Sequence, residues 1–322
     1  MAGATVLPAK LNGSRLLAAA CLVGGVLVFS MQDVILKWIS GSYPLTQAMA
    51  IRSTTAIVIL LIWIGRVEGL HKIFSRRWRT LAWRGTILMV AYGTYYLAFP
   101  AMKLAEVVTL FFIAPILITA LGQPLLGERV RFGGWVAVLV GFAGVVVTYW
   151  PGLSGRSSLD WALLLPIVAA LTYGLSAIMV RKLGPTESAS VMGLYQNAMY
   201  LLWVLALAVL FNTGWIPTTD LHPSLAFLLR PWSFEHWEEV AMLVACGPIS
   251  ALGTVLLAQA YRMTEANFVA TFEYTGLIWA TLWGFLIWGE IPTLYMIAGA
   301  ALIIGAGLYM LFSGRRAGSD TA

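Results

Sequence analysis

LLAAACLVGGVLVFSMQDVILKWI, residues 16–39, is the stretch on which the fold turns. Asp33 and Lys37 are its only charges. As an α-helix rising 1.5 Å per residue it is about 36 Å long, enough to cross a hydrocarbon core of about 30 Å. A cleavable signal peptide needs a bounded apolar core of about 7–15 residues and a small-residue cleavage site. This stretch runs well past that length and reads as a retained first membrane helix.

Outward from it, the chain is of one kind. Of 322 residues, 60% are hydrophobic and 11% charged, a balance that would leave a soluble globule coated in apolar side chains. Lipid is the solvent this composition requires. Apolar runs broken by charge, Gly or Pro fall at 16–39, 46–65, 80–100, 104–126, 132–150, 159–180, 188–211, 238–261, 266–288 and 292–312. These predict ten spans. The 212–237 interruption, with Pro217, His222, Pro223 and Pro231, is too polar to cross and is the one sizeable loop. Function is therefore expected inside the membrane. The net charge of +6 speaks of topology, not of nucleic acid, because basic residues collect on the cytoplasmic side of membrane proteins. Cys21 and Cys246 both sit in apolar runs and support neither a disulfide framework nor a metal site.

A cytoplasmic N-terminus leaves Lys10, Arg15, Arg66, Lys72, Arg76, Arg77, Arg79, Arg84, Arg129, Arg131, Arg181, Lys182, Arg262, Arg315 and Arg316 inside. Only Lys37, Lys103, Arg156 and Arg230 fall outside, with Arg52 within a span. That bias predicts both termini cytoplasmic. Five spans per half start the second half on the opposite face, so similarity between halves means an inverted repeat. Leu126-Gly127-Glu128 ends the fourth span and Trp288-Gly289-Glu290 the ninth, while Met102 to Glu106 aligns loosely with Met263 to Asn267. Phe29-Ser30 before Lys37 likewise matches Tyr173-Gly174 before Arg181. The expected layout is a tail over 1–15, a five-helix unit over 16–150, a second over 159–313 and a tail over 314–322.

In these residues the chain resembles the drug/metabolite transporter superfamily, and within it the EamA-type ten-helix permeases. The resemblance rests on Ser30, Asp33 and Lys37, on Pro44 and Arg52, on Ala105 through Pro115 to Gly127-Glu128, and on Glu273-Tyr274 and Gly289-Glu290-Ile291-Pro292. It covers about 16–313 and implies an all-α bundle of two inverted repeats around a central cavity that opens alternately to each side. Cargoes among such relatives include amino acids, S-adenosylmethionine and riboflavin.

A charge near the bilayer centre costs at least about 2.5–3.5 kcal/mol on insertion scales, so each retained one needs a partner or a watered site. Asp33 and Arg52 are expected at similar depth, as an ion pair or as substrate or coupling groups, and Lys37 lies one turn beyond Asp33. Glu106 falls in a helix first turn, where the dipole stabilises it, and Glu128 and Glu290 read as structural helix ends. Glu273 stands apart, flanked by Phe272 and Tyr274 with no basic residue within a turn. A carboxylate there suits proton exchange or recognition of a cationic group. Tyr92, Tyr96, Tyr173, Gln196, Asn197 and Trp279 lie deep enough to join it in an aromatic binding site. Trp63, Trp83, Trp135, Trp150 and Trp161 fit the interfacial belt instead. Gly141, Gly144, Gly299, Gly305 and Gly307 read as points of close helix approach, and Pro115 as a helix break.

His71, His222 and His236 all lie in loops, and no span carries metal ligands at helical spacing, so an intramembrane enzyme lacks its parts. No phosphate-binding loop supports an ATP-driven pump. The expectation is a multi-pass protein of the cell (inner) membrane, a secondary permease for a small organic metabolite, without cofactor, metal or nucleic acid. A homodimer is left open, and a non-transporting receptor or scaffold is the alternative.

Overall fold

The computed structural model describes residues 7–102, 104–128, 130–153, 160–211, 220–288 and 293–316, and all secondary structure among them is helical. Helices follow the apolar runs. They are α1 Leu7–Ile39, α2 Leu45–Trp63, α3 Trp78–Leu97, α4 Leu104–Phe111, α5 Ala114–Leu126, α6 Phe132–Leu153, α7 Leu164–Leu183, α8 Ala189–Phe211, α9 Pro223–Leu229, α10 Trp237–Met263, α11 Ala266–Ala270, α12 Gly276–Trp288 and α13 Leu294–Arg316. With no water to satisfy backbone groups, helix is the only way a single apolar segment crosses lipid. Six segments are long and apolar enough to do so: Ser14–Ile39, Leu45–Glu68, Val107–Leu126, Trp161–Leu183, Ala189–Phe211 and Trp237–Met263. Phe132–Val147 and Leu294–Met310 are shorter apolar helices. The protein is a multi-pass membrane protein.

Two of the ten expected spans are broken, the first at the break expected from Pro115. The 104–126 stretch divides into α4 and α5 just before Pro115, which lacks the N–H that a continuous helix would use. The 266–288 stretch divides where Thr271–Thr275 tightens into a 3₁₀ turn between α11 and α12. Glu273 sits inside that second break. Gly127 ends α5 in the left-handed region at φ +71°, which a side chain would strain.

Packing follows small residues, since lipid tails remove the hydrophobic drive between helices. α6 packs along α13, where a Cβ on Gly144 would meet the Gly299 carbonyl oxygen at 2.8 Å. Gly141 is filled just as closely by the Tyr274 ring, whereas Gly305 faces open space and makes no such approach. α1 packs on α10, α3 on α7, and α2 on α8 and α10. The 220–237 part of the loop is tied to α2 and its N-terminal approach. Trp232 Nε1 donates to Thr46 Oγ1 at 3.0 Å, Ser233 N to Gln47 Oε1 at 3.0 Å, and the Tyr43 hydroxyl to His236 O at 3.1 Å. Residues 212–219, 154–159 and the 317–322 end of the tail, like Lys103, Glu290 and the Glu106 side chain, lie outside what the structure describes.

Candidate functional site

On α1 the helical period puts Val26, Phe29, Ser30 and Asp33 on one stripe, and on α12 it does the same for Gly276, Ala280 and Trp283. These stripes face each other across a cavity with about 830 Å³ of unfilled space, its mouth included. Tyr92 and Tyr95 of α3, Phe111 and Phe112 at the first helix break, and Tyr173 of α7 complete its aromatic wall. Trp283 Nε1 donates to Ser30 Oγ at 2.8 Å, closing the contact between α1 and α12.

Two carboxylates line this cavity, one from each half of the chain. Glu273 is 6% exposed, and its Oε1 accepts from the Tyr173 hydroxyl at 2.6 Å and from the Tyr261 hydroxyl at 2.8 Å. Asp33 accepts more distant bonds, from Tyr95 at 3.3 Å and Tyr96 at 3.4 Å. The Tyr96 hydroxyl has an acceptor to spare and takes a 2.7 Å bond from Gln32 Nε2. No lysine or arginine is among the residues lining the cavity. It presents negative or proton-holding groups in an aromatic setting, the complement of a cationic group on an apolar body.

The Asp33–Arg52 pairing expected from depth alone is not made. α2 packs chiefly on α8 and α10, and the 1%-exposed Arg52 side chain turns toward α8, its guanidinium carbon 5.1 Å from the Tyr200 ring centre. Its Nε and one Nη are buried without an acceptor. Tyr92 and Tyr173 line the cavity, as expected, and their rings meet edge to face at 6.5 Å. Tyr96 stands behind the wall as a support for Asp33. Gln196 lines a second, smaller cavity together with Arg84. Asn197 is fully buried but faces neither cavity, donating to Gly193 O at 3.0 Å and accepting from Ser250 at 3.2 Å between α8 and α10. Trp279 also misses both cavities, and its Nε1 is buried with no acceptor.

Residues that sequence reasoning did not place in the site include Tyr261, Tyr95 and Arg84. Arg84, counted above among the cytoplasmic loop charges, is 4% exposed inside α3 and donates to Met192 O and Gln196 Oε1 at 3.3 Å each. Its signal was present, because it already falls inside the 80–100 run. For Tyr261, at the end of an apolar run beside Arg262, sequence offers no sign that its hydroxyl reaches Glu273. At one end of the bundle Glu128 behaves as the expected structural group. It accepts from Arg181 Nε at 3.2 Å and from the Ala266 amide at 3.0 Å, while Arg181 also holds Arg262 O at 3.1 Å.

Comparison with known proteins gives this geometry a class. Residues 16–150 match the EamA-like transporter family. The riboflavin transporter of Rhizobium johnstonii is 25% identical over 88% of this chain and 87% of its own length. The pseudopaline exporter CntI of Pseudomonas aeruginosa is 25% identical over 86% of this chain and 90% of its own. The S-adenosylmethionine uptake transporter of Rickettsia conorii is 25% identical over 89% and 90%. A protein of solved crystal structure shares the fold at a TM-score of 0.74 and 17% identity, covering 93% of this chain and 97% of that one. The chain is thus a membrane transporter and not an enzyme. Residues 16–150 carry its EamA-like transporter domain, and the relatives it resembles over most of its length are named transporters.

Proposed function

We propose that this protein is a secondary permease of the cell (inner) membrane that moves a small organic molecule bearing a cationic group, by alternating access around the cavity between Asp33 and Glu273. The observation that carries this reading is the pair of carboxylates, one from each half, facing one aromatic cavity with no basic residue lining it. Uncompensated acids in a membrane interior are costly and are kept where a pathway needs them. Glu273 is assigned the recognition or proton-exchange role and Asp33 a second recognition point. Tyr92 and Tyr173 supply the apolar faces on which an amphiphile such as an amino acid or an S-adenosylmethionine-like molecule stacks.

The ten-span inverted repeat is part of the proposal. It is supported by packing that survives exchange of the halves: α1 on α10 becomes α7 on α3, and α2 on α8 and α6 on α13 map onto themselves. Lys37, at the end of α1, donates to the carbonyls of Phe99 and Met102, just as Arg181 at the end of α7 donates to that of Arg262. Both broken helices also coincide, Phe111 corresponding to Glu273. Broken repeat helices at mid-membrane are where transporters of several folds bind cargo. Both termini are placed in the cytoplasm on the lysine and arginine bias.

The test is uptake of a labelled metabolite panel into liposomes containing the purified protein, with and without an imposed pH gradient, for wild type and Glu273→Gln. Accumulation that is lost or no longer responds to pH in the variant is the expected result. Accumulation by the variant with unchanged rate, pH response and substrate preference would sink the assignment of Glu273.

A further inference from the structure

Adjoining the acidic cavity is a second one, walled by Arg84, Ser176, Gln196, Thr254 and Tyr261 and sharing with the first the rings of Tyr92 and Tyr173, which line both. Its chemistry is opposite. Arg84 is always charged, and no acidic residue lines this cavity. The guanidinium is held by a carbonyl and an amide oxygen only, so its positive charge is left without a counter-ion at the wall. Two donors there are unspent: Arg84 Nε, and the hydroxyl of Ser176, 1% exposed, neither with a hydrogen-bond partner. Buried donors are ordinarily satisfied, and an orphaned guanidinium N–H and an orphaned hydroxyl in the lining of one cavity are donors that an anion can complete.

We infer that the Arg84–Ser176 cavity is an anion subsite, taking a carboxylate or phosphate group of the cargo. Gln196 holds the guanidinium in place from behind, and Ser176 and the free edge of Arg84 meet the anion. Together with Asp33 and Glu273 across the tyrosine wall, the binding site is then bipolar, cation end to one side and anion end to the other, and the cargo class is zwitterionic. This rests on the permease reading for the identity of the occupant, while the charge preference of the cavity stands apart from it.

The preference is measured without knowing the cargo. Cys21 and Cys246 are replaced by Ala, Ser176→Cys is introduced, and the protein in vesicles is treated from either side with a sulfonate-bearing or a trimethylammonium-bearing methanethiosulfonate, each rate normalised to a free thiol. The anionic reagent is expected to be favoured by about tenfold or more, with the preference lost in Arg84→Gln and restored in Arg84→Lys. Inorganic phosphate or acetate is expected to slow the reaction in phosphatidylcholine vesicles. Protection that appears only when phosphatidylglycerol is added assigns the site to a lipid headgroup and overturns the cargo reading. Equal rates for the two reagents, or no modification from either side, overturn the subsite itself. Because no transport is read, a protein that accumulates no metabolite fails the permease proposal alone.

Discussion

Glu273 is held by two phenol hydroxyls on a single oxygen, and that geometry makes a quantitative prediction. Tyr173→Phe removes a 2.6 Å bond and Tyr261→Phe a 2.8 Å bond while leaving both rings packed. A hydrogen bond to a charged group contributes about 1.5–3 kcal/mol, and to a neutral one about 0.5–1.5. Each single variant should therefore lose about 0.5–3 kcal/mol, seen as a fall of about 1–6 °C in Tm at the roughly 2 °C per kcal/mol expected of a chain this size. The decisive quantity is the coupling. In a Glu273→Gln background the acceptor is weaker, and Tyr173→Phe should cost at least about 1 kcal/mol less than in wild type. The assay is thermal unfolding of the four proteins of the cycle in one detergent, repeated for Tyr261. A coupling within about 0.3 kcal/mol of zero would refute the idea that these tyrosines serve the carboxylate, since independent sites add to that tolerance.

Three further outcomes are expected. Gly144→Ala forces a Cβ against the Gly299 carbonyl and should cost about 1–3 kcal/mol, whereas Gly305→Ala, with open space around it, should leave stability unchanged or raise it by up to about 1 kcal/mol; equal effects would deny that α6 and α13 are in close register. Arg52→Met removes a buried cation with two unsatisfied donors but also gives up its contact with the Tyr200 ring, worth about 0.5–2 kcal/mol, so stability should stay within about 2 kcal/mol of wild type, and a larger loss on thermal unfolding would reveal a further partner for the guanidinium. Burial pushes the Glu128 carboxyl above its ordinary 4.5, against the pull of the Ala266 amide and Arg181. The folded protein thus keeps a proton that the unfolded chain has released, so stability falls as pH rises from about 4.5 through the raised value. Glu128→Gln should flatten that part of the Tm profile, and an identical slope in the variant would count against it.

The helices were legible from the apolar runs, because burial in lipid demands long uninterrupted segments and leaves a signal no soluble helix matches. Pro115 announced the first break. The second, the 3₁₀ turn at Thr271–Thr275, has no proline to announce it. That Glu273, Asp33, Tyr92 and Tyr173 line one cavity was legible because carboxylates and tyrosine hydroxyls deep in apolar runs are rare enough to stand out. Trp279 is expected in the site from its depth, yet the helical period favours Trp283: counted from Glu273, positions 276, 280 and 283 share a face and 279 turns away. The Asp33–Arg52 pairing failed for a different reason. Depth is readable in one dimension, whereas which helix neighbours which is decided by packing, and α1 lies on α10 while α2 lies on α8.

The shared wall between the two cavities has a kinetic consequence. Phe29, Tyr92, Tyr173 and Leu257 belong to both linings, so the partition is one side chain thick. Under the proposed alternating access, passage of a group between the chambers would be a rotamer event, local and fast, while access from each face of the membrane would require helices to move, on microseconds to milliseconds. That proposal gives the protein two clocks. A ring made smaller at position 92 speeds only the first, so it would blur which end of the cargo rests in which chamber without changing how often either face opens.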